Sequence, residues 1–193
     1  MNMPLSEAAP GLRFGDSSMD AQLVARVLHG EREAYSTLVR RHQDRLYRHA
    51  RGMGFDHDVA LDMVQDAFVR GYVKLRRCRN PLCFGVWVFR ILRNRCLDYL
   101  KSAQRRSVSL DAVAETAAAP CQESEMRVVL DDAFAALPVP LREAFLLKHR
   151  DGWSYDELAD ITGASVSAVK MRVHRAREML CSLLEESAAV EDA

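Results

Sequence analysis

"SYDELADITGASVSAVKMRVHRAREML", residues 154–180, decides the fold. Ser154 and Glu157 make the S-x-x-E pattern in which a hydroxyl caps one backbone N–H and a carboxylate returns to another. A helix therefore starts there, with Leu158 and Ile161 facing inward. Thr162-Gly163 ends it, because glycine accepts the left-handed conformation that closes a helix, and Ser165 is placed to cap the next one. In that second helix Val166, Val169, Val173, Ala176 and Leu180 advance by three, four, three and four residues, the rhythm of one buried stripe. At roughly 100° per residue the opposite arc carries Ser167, Met171, His174 and Arg175, with Lys170 and Arg172 at its borders. Helix, glycine turn, basic helix is the helix-turn-helix order, in which the second helix enters the major groove with its N-terminal residues at base edges. Ser165, Ser167, Lys170, Met171, Arg172, His174 and Arg175 are thus the candidate duplex-binding residues, the arc serving bases and Lys170 and Arg172 serving phosphates. A helical hairpin used only for packing is the alternative, and the spacing and basic residues argue against it.

The 193-residue chain is 49% hydrophobic, enough for packed cores. No apolar run reaches the roughly 18 to 20 residues of a membrane span, and the N-terminal stretch lacks the layout of a signal peptide, so a cytoplasmic protein without membrane insertion is expected. Cys78, Cys83, Cys96, Cys121 and Cys181 are odd in number and form no C-x-x-C or Cys/His cluster. They read as reduced structural thiols with no metal site, and a redox-sensing Cys78/Cys83 pair is the sharper alternative. Neither strand alternation nor an internal repeat is present, so the fold is expected to be all-α. Paired carboxylates, Ser/His/Asp sets and phosphate-binding glycine loops are not found, which points to no catalytic residues, no enzyme and no cofactor.

The formal net charge of zero conceals a partition. Residues 26–109 hold 18 Lys/Arg against 8 Asp/Glu, residues 110–136 hold 1 against 6, and residues 183–193 hold none against 4. A basic block of this size draws a polyanion whatever the total. The Ala-, Ser- and acid-rich connector after it reads as a flexible linker, 107–128. Two small helical domains are expected on either side, 20–106 and 129–184, with an unstructured segment 1–19 and an acidic tail 185–193.

In the first domain, helices are expected near 20–29, 31–51 and 57–77. The third turns Val59, Ala60, Met63, Val64, Ala67 and Phe68 inward and leaves Asp58, Asp62, Gln65 and Val69 on a separate stripe. An acidic stripe on a basic domain is either a solvated face or the seat of a basic partner helix. Beyond the loop "RRCRNPLC" (76–83) comes "FGVWVFRILRNRCLDYLKSAQRR" (84–106), where Trp87, Ile91, Asn94 and Asp98 are expected to line one side and Arg90, Arg93, Arg95, Lys101, Arg105 and Arg106 supply charge. Aromatics beside arginines suit unpaired nucleotides, although Trp87 and Phe89 stand at the spacing of core residues and Trp87, on the apolar stripe, reads first as one.

These segments resemble the extracytoplasmic-function sigma factors, members of the sigma-70 family of bacteria, over roughly residues 20–182. "DVALDMVQDAFVRGYVKL" (58–75) resembles that family's clamp-binding helix, with Asp62, Gln65, Asp66 and Phe68 in the pattern positions. The segment from Phe84 is similar to the one following the loop that reads the minus-ten element, and residues 137–180 look like the domain that binds the minus-thirty-five element. The resemblance implies a sigma region 2 bundle and a sigma region 4 helix-turn-helix. It implies the β′ clamp and β flap of RNA polymerase core as partners, together with promoter DNA and an anti-sigma factor. Asp58, Asp62, Gln65 and Asp66 become the candidate polymerase contacts, and Arg79, Asn80, Arg90, Arg93, Asn94, Lys101 and Arg105 the candidate minus-ten contacts. Met171 departs from the serine common in the family. A recombinase would need a nucleophile in a mixed α/β domain, which is not found, and a dimeric repressor would leave the acidic stripe and the basic aromatic segment unexplained.

Overall fold

The computed structural model describes residues 17–109 and 125–191. The helices are α1 (Ser17–Leu28), α2 (Glu33–Gly52), α3 (His57–Val73), α4 (Phe84–Ser109), α5 (Glu125–Ala136), α6 (Val139–Phe145), α7 (Tyr155–Thr162) and α8 (Val166–Glu191). Single tight turns at Leu75–Arg77 and Pro81–Cys83 link α3 to α4, and a wide turn at Leu146–Arg150 prolongs α6. No strand occurs among the described residues. Helix α4 runs through Ser109 and α5 begins at Glu125, so helix enters the expected linker from both ends. The remainder of that linker, 110–124, lies outside the described residues, as does most of the expected unstructured segment 1–19. The expected acidic tail is the end of α8 as far as Glu191.

Helix α3 begins at Asp56, whose carboxylate accepts from the Val59 N–H at 2.8 Å, and follows a turn that Gly54 makes at φ +95°. It buries Ala60, Met63, Val64, Ala67 and Phe68, as its periodicity predicts. Gly71 lets α2 come close, because a Cβ there would sit 2.9 Å from the Tyr35 hydroxyl, which donates to the Phe68 carbonyl at 2.6 Å. Helix α4 differs from expectation. Phe84, Val88, Phe89, Leu92 and Cys96 are its buried positions, whereas Trp87 and Ile91 are half-buried and Asn94 and Asp98 face solvent. The reason is that α4 packs on α3 along one side and on α7 along another, so no single stripe describes it.

The two expected domains share one apolar core, which runs from Leu23 of α1 to Val173 of α8. A smaller cluster of Ala133, Leu137, Ala176 and Leu180 ties α5 and α6 to the middle of α8. The seam between the halves is built around Trp153, 1% exposed, whose ring meets Phe89 edge-on at 5.3 Å. The Arg45 guanidinium lies 3.6 Å from the centre of that indole and donates to the Asp151 carbonyl. Burial lowers the Arg45 pKa to about 9 against the raising fields of Asp151 and Glu157, so the group keeps its charge at neutral pH. His49 Nδ1 donates to Asp151 Oδ2 at 2.7 Å, and Arg93 holds Glu143 by two bonds of 2.7 and 3.0 Å. Arg142 donates to the Met53 carbonyl at 3.1 Å.

Candidate nucleic-acid and polymerase interface

The helix-turn-helix forms as its residues dictate. The Ser154 hydroxyl accepts from the Glu157 N–H at 3.2 Å while the Glu157 carboxylate accepts from the Ser154 N–H at 2.8 Å, closing the capping box. Gly163 takes φ +68° at the turn, and the Ser165 hydroxyl accepts from the Ala168 N–H at 3.2 Å to start α8. Leu158, Ile161, Val169, Val173, Ala176 and Leu180 are buried, and Val166 is half-buried. That commitment leaves Ser165, Ser167, Lys170, Met171, His174 and Arg175 exposed, with Arg172 half-buried at the border. Met171, 50% exposed in the middle of this arc, offers an apolar contact among polar ones. His174 lies 3.4 Å from Glu178 one turn on, and the Lys170 ammonium stands 5.5 Å from the Tyr155 ring centre.

On α3, Asp58, Asp62, Gln65 and Val69 are exposed together, so the stripe expected from spacing exists as a surface. Asp66 is different. Its half-buried carboxylate receives Arg70 at 2.9 Å and Arg95 of α4 at 2.8 Å, and the bond and charge of Asp66 raise the Arg70 pKa. Sequence reasoning missed an apolar groove of about 720 Å³ between α2 and α3, lined by Tyr35, Val39, Tyr47, Leu61, Val69 and Tyr72, with Gln65 and Asp44 at its edge. Its signal was legible: Leu61, Val69 and Val73 fall outside the inward set of α3, and Val69 is 62% exposed.

The candidate minus-ten residues divide. Arg79, Asn80, Arg90, Asn94 and Lys101 are exposed. Asn80 also shapes its own loop, its side-chain oxygen accepting from the Leu82 N–H at 3.1 Å and its amide nitrogen donating to Cys83 Sγ at 3.2 Å. Arg93, expected to hold a DNA strand, is gripped by Glu143 in the seam. Arg105 lies on the α4 helix, and its side chain is outside the described residues. The described residues contain no cluster able to hold a metal ion and no helix long and apolar enough to cross a membrane.

The comparisons agree with this layout. The family model described as Sigma-70 region 2 matches residues 38–106, and that described as Sigma-70, region 4 matches residues 127–180. The chain is 31% identical to the ECF RNA polymerase sigma-E factor of Haemophilus influenzae over 83% of this chain and 93% of that one. It is 32% identical to the RNA polymerase sigma-H factor of Pseudomonas aeruginosa over 86% and 94%. Among solved structures, the sigma factor RpoE in complex with the anti-sigma factor NepR from Bartonella quintana matches with a TM-score of 0.68 at 28% identity, covering 78% of this chain and 96% of that one. With region 2 carried by α2 to α4 and region 4 by α5 to α8, the chain belongs to the extracytoplasmic-function sigma factors, the subunits that direct RNA polymerase to specific promoters and begin transcription there.

Proposed function

We propose that the three surfaces divide the work of initiation. The Asp58, Asp62 and Gln65 stripe, with the groove beside it, seats the β′ clamp of polymerase core, its carboxylates facing basic residues and the groove taking apolar ones. The loop from Arg77 to Phe84, with Arg79, Asn80, Arg90, Asn94 and Lys101, meets the minus-ten element, and the exposed arc of α8 reads the minus-thirty-five element. The chain adds no catalysis of its own and sits in the cytoplasm, where polymerase is. Because the relative from Bartonella quintana is held by an anti-sigma factor, a factor of that class is the expected antagonist here.

The observation that carries this reading is the α8 arc, exposed from Ser165 to Arg175 while the other side of the same helix is locked in the core. Geometry adds a requirement. The 25 base pairs between positions −35 and −10 span about 85 Å of duplex at roughly 3.4 Å each. A compact chain of this length has a radius of gyration of about 16 Å. Engaging both elements therefore needs the seam at Trp153 to part, which also frees Arg93 from Glu143 for the DNA strand. Run-off transcription by core polymerase with this chain, from a promoter selected out of genomic fragments, tests the assignment. Separate losses are expected for Asp62→Lys at core binding and Arg175→Ala at the minus-thirty-five element. A variant altered at both that transcribes like the parent would overturn it.

A further inference from the structure

The loop between α3 and α4 contains two cysteines that point at the same residue. The Cys78 thiol donates to the Asn80 carbonyl oxygen at 3.5 Å, and that same oxygen accepts from the Cys83 backbone N–H at 3.0 Å. From the other side, the Asn80 amide donates to the Cys83 sulfur at 3.2 Å. Cys78 is buried at the base of the loop and Cys83 is exposed at its rim. Both are free thiols, and their sulfurs bond to the loop that lies between them.

We propose that Cys78 and Cys83 are a modification site, joined by a hydroperoxide into a reversible disulfide that reshapes the loop and changes how it meets DNA. The promoter half of this rests on the reading that the loop meets the minus-ten element. Exposed Cys83 reacts first: its thiolate attacks the terminal oxygen of the hydroperoxide, the O–O bond breaks, and a sulfenic acid forms as alkoxide leaves, or hydroxide in the case of hydrogen peroxide. The Cys78 sulfur then attacks the Cys83 sulfur, the S–O bond breaks, and the oxygen departs as water. Two thiols lose two protons and two electrons to one hydroperoxide, which becomes water and its alcohol, or two waters from hydrogen peroxide. In the product the Cys83 sulfur is drawn toward Cys78, so the bond from Asn80 to it is lost and the 78–83 backbone is pinned as a small ring. A bridge closing so short a loop near the surface belongs to the readily reduced class, so a cellular dithiol restores the loop.

The surroundings set the pace. Burial pushes the Cys78 thiol up to about 11, and burial followed by the charges of Asp160 and Glu157 on α7 raises Cys83. The thiolate that begins the reaction is therefore scarce while α7 lies beside the loop. Parting of the seam removes the two carboxylates and makes the site more reactive in the promoter-engaging form.

The full chain is treated with hydrogen peroxide, its remaining thiols are alkylated, and it is cut with trypsin after Arg77, Arg79 and Arg90. The expected product joins peptide 78–79 to peptide 80–90, two hydrogens lighter than the separate pair. It disappears with dithiothreitol and is absent from Cys83→Ser. Run-off transcription should fall several-fold on oxidation and recover on reduction, with Cys83→Ser unresponsive. Oxidation of Cys83 to the sulfinic acid with Cys78 untouched, or a link from Cys83 to Cys181, would overturn the bridge. A complete bridge that leaves transcription and base preference unchanged would overturn the switch. A randomised minus-ten library transcribed by reduced Asn80→Ala separates the two failures. Preferences identical to the parent overturn the loop's DNA role and the switch with it, whatever the peptide map shows.

Discussion

Asp62 and Asp66 sit one turn apart on α3 and do opposite things. Asp62 is exposed and forms no ion pair among the described residues, whereas Asp66 joins Arg70 on its own helix to Arg95 on α4. Asp62→Lys should weaken core binding at least tenfold in a titration of labelled chain with core, with the melting temperature unchanged. Asp66→Ala should cost stability by less than about 1 kcal/mol, because its partners are partly exposed and screened, and it should leave core affinity nearly intact. At Cys83, where the neighbouring carboxylates raise the thiol after burial, Asp160→Asn should speed alkylation by iodoacetamide at pH 8 several-fold. The raised pKa moves the parent's rise in rate to higher pH than an ordinary thiol shows, and the variant shifts that rise to lower pH. Sequence spacing placed Asp62 on the acidic stripe and left Asp66 off it; Asp66 joined the candidates through the resemblance alone, and neither shows that Arg95 from another helix ties it down.

Elements whose residues carry their own signals are legible in the sequence. The capping box at Ser154 and Glu157, the left-handed Gly163 and the Ser165 cap fixed both ends of the turn, and the valine stripe fixed which arc of α8 is left outside. Gly163→Ala should lower stability by about 1 kcal/mol or more in urea unfolding, because alanine pays for φ +68° that glycine adopts freely. On α8, Arg175→Ala should cost roughly 1 to 3 kcal/mol at one base pair and relax preference there, while Lys170→Ala should weaken all sequences alike and reduce the salt slope by about one contact. Binding to a scanned promoter set at two salt concentrations measures both. Helix α4 was less legible because it is covered from two directions. A single-stripe reading selects Trp87, Ile91, Asn94 and Asp98; the helical spacing that also marks Phe89 as core is borne out, and Phe89 meets both His49 and Trp153.

At the scale of the molecule, the joining of the two halves left no trace in local pattern. Arg93 reads as a DNA contact, nothing in the local pattern marks His49, Asp151 or Glu143, and only the fold makes them pairs across a seam. Arg45→Met keeps the aliphatic stem but removes the cation over Trp153 and its bond to the Asp151 carbonyl. It should lower the melting temperature by a few degrees and raise core affinity several-fold, since less of the binding energy goes into opening the chain. Calorimetry with a core titration reads both, and lower affinity would show the seam to be unrelated to engagement. Trp153 also gives the chain an optical gauge. It is one of two tryptophans, and its indole is held out of water, between Phe89 and the Arg45 guanidinium, while the halves are joined. In a Trp87→Phe background, its emission should lie at short wavelength in the resting chain and move to the red as water reaches the ring. The colour of one residue's light then reports how much of the population stands open, with no label attached and no DNA or polymerase present.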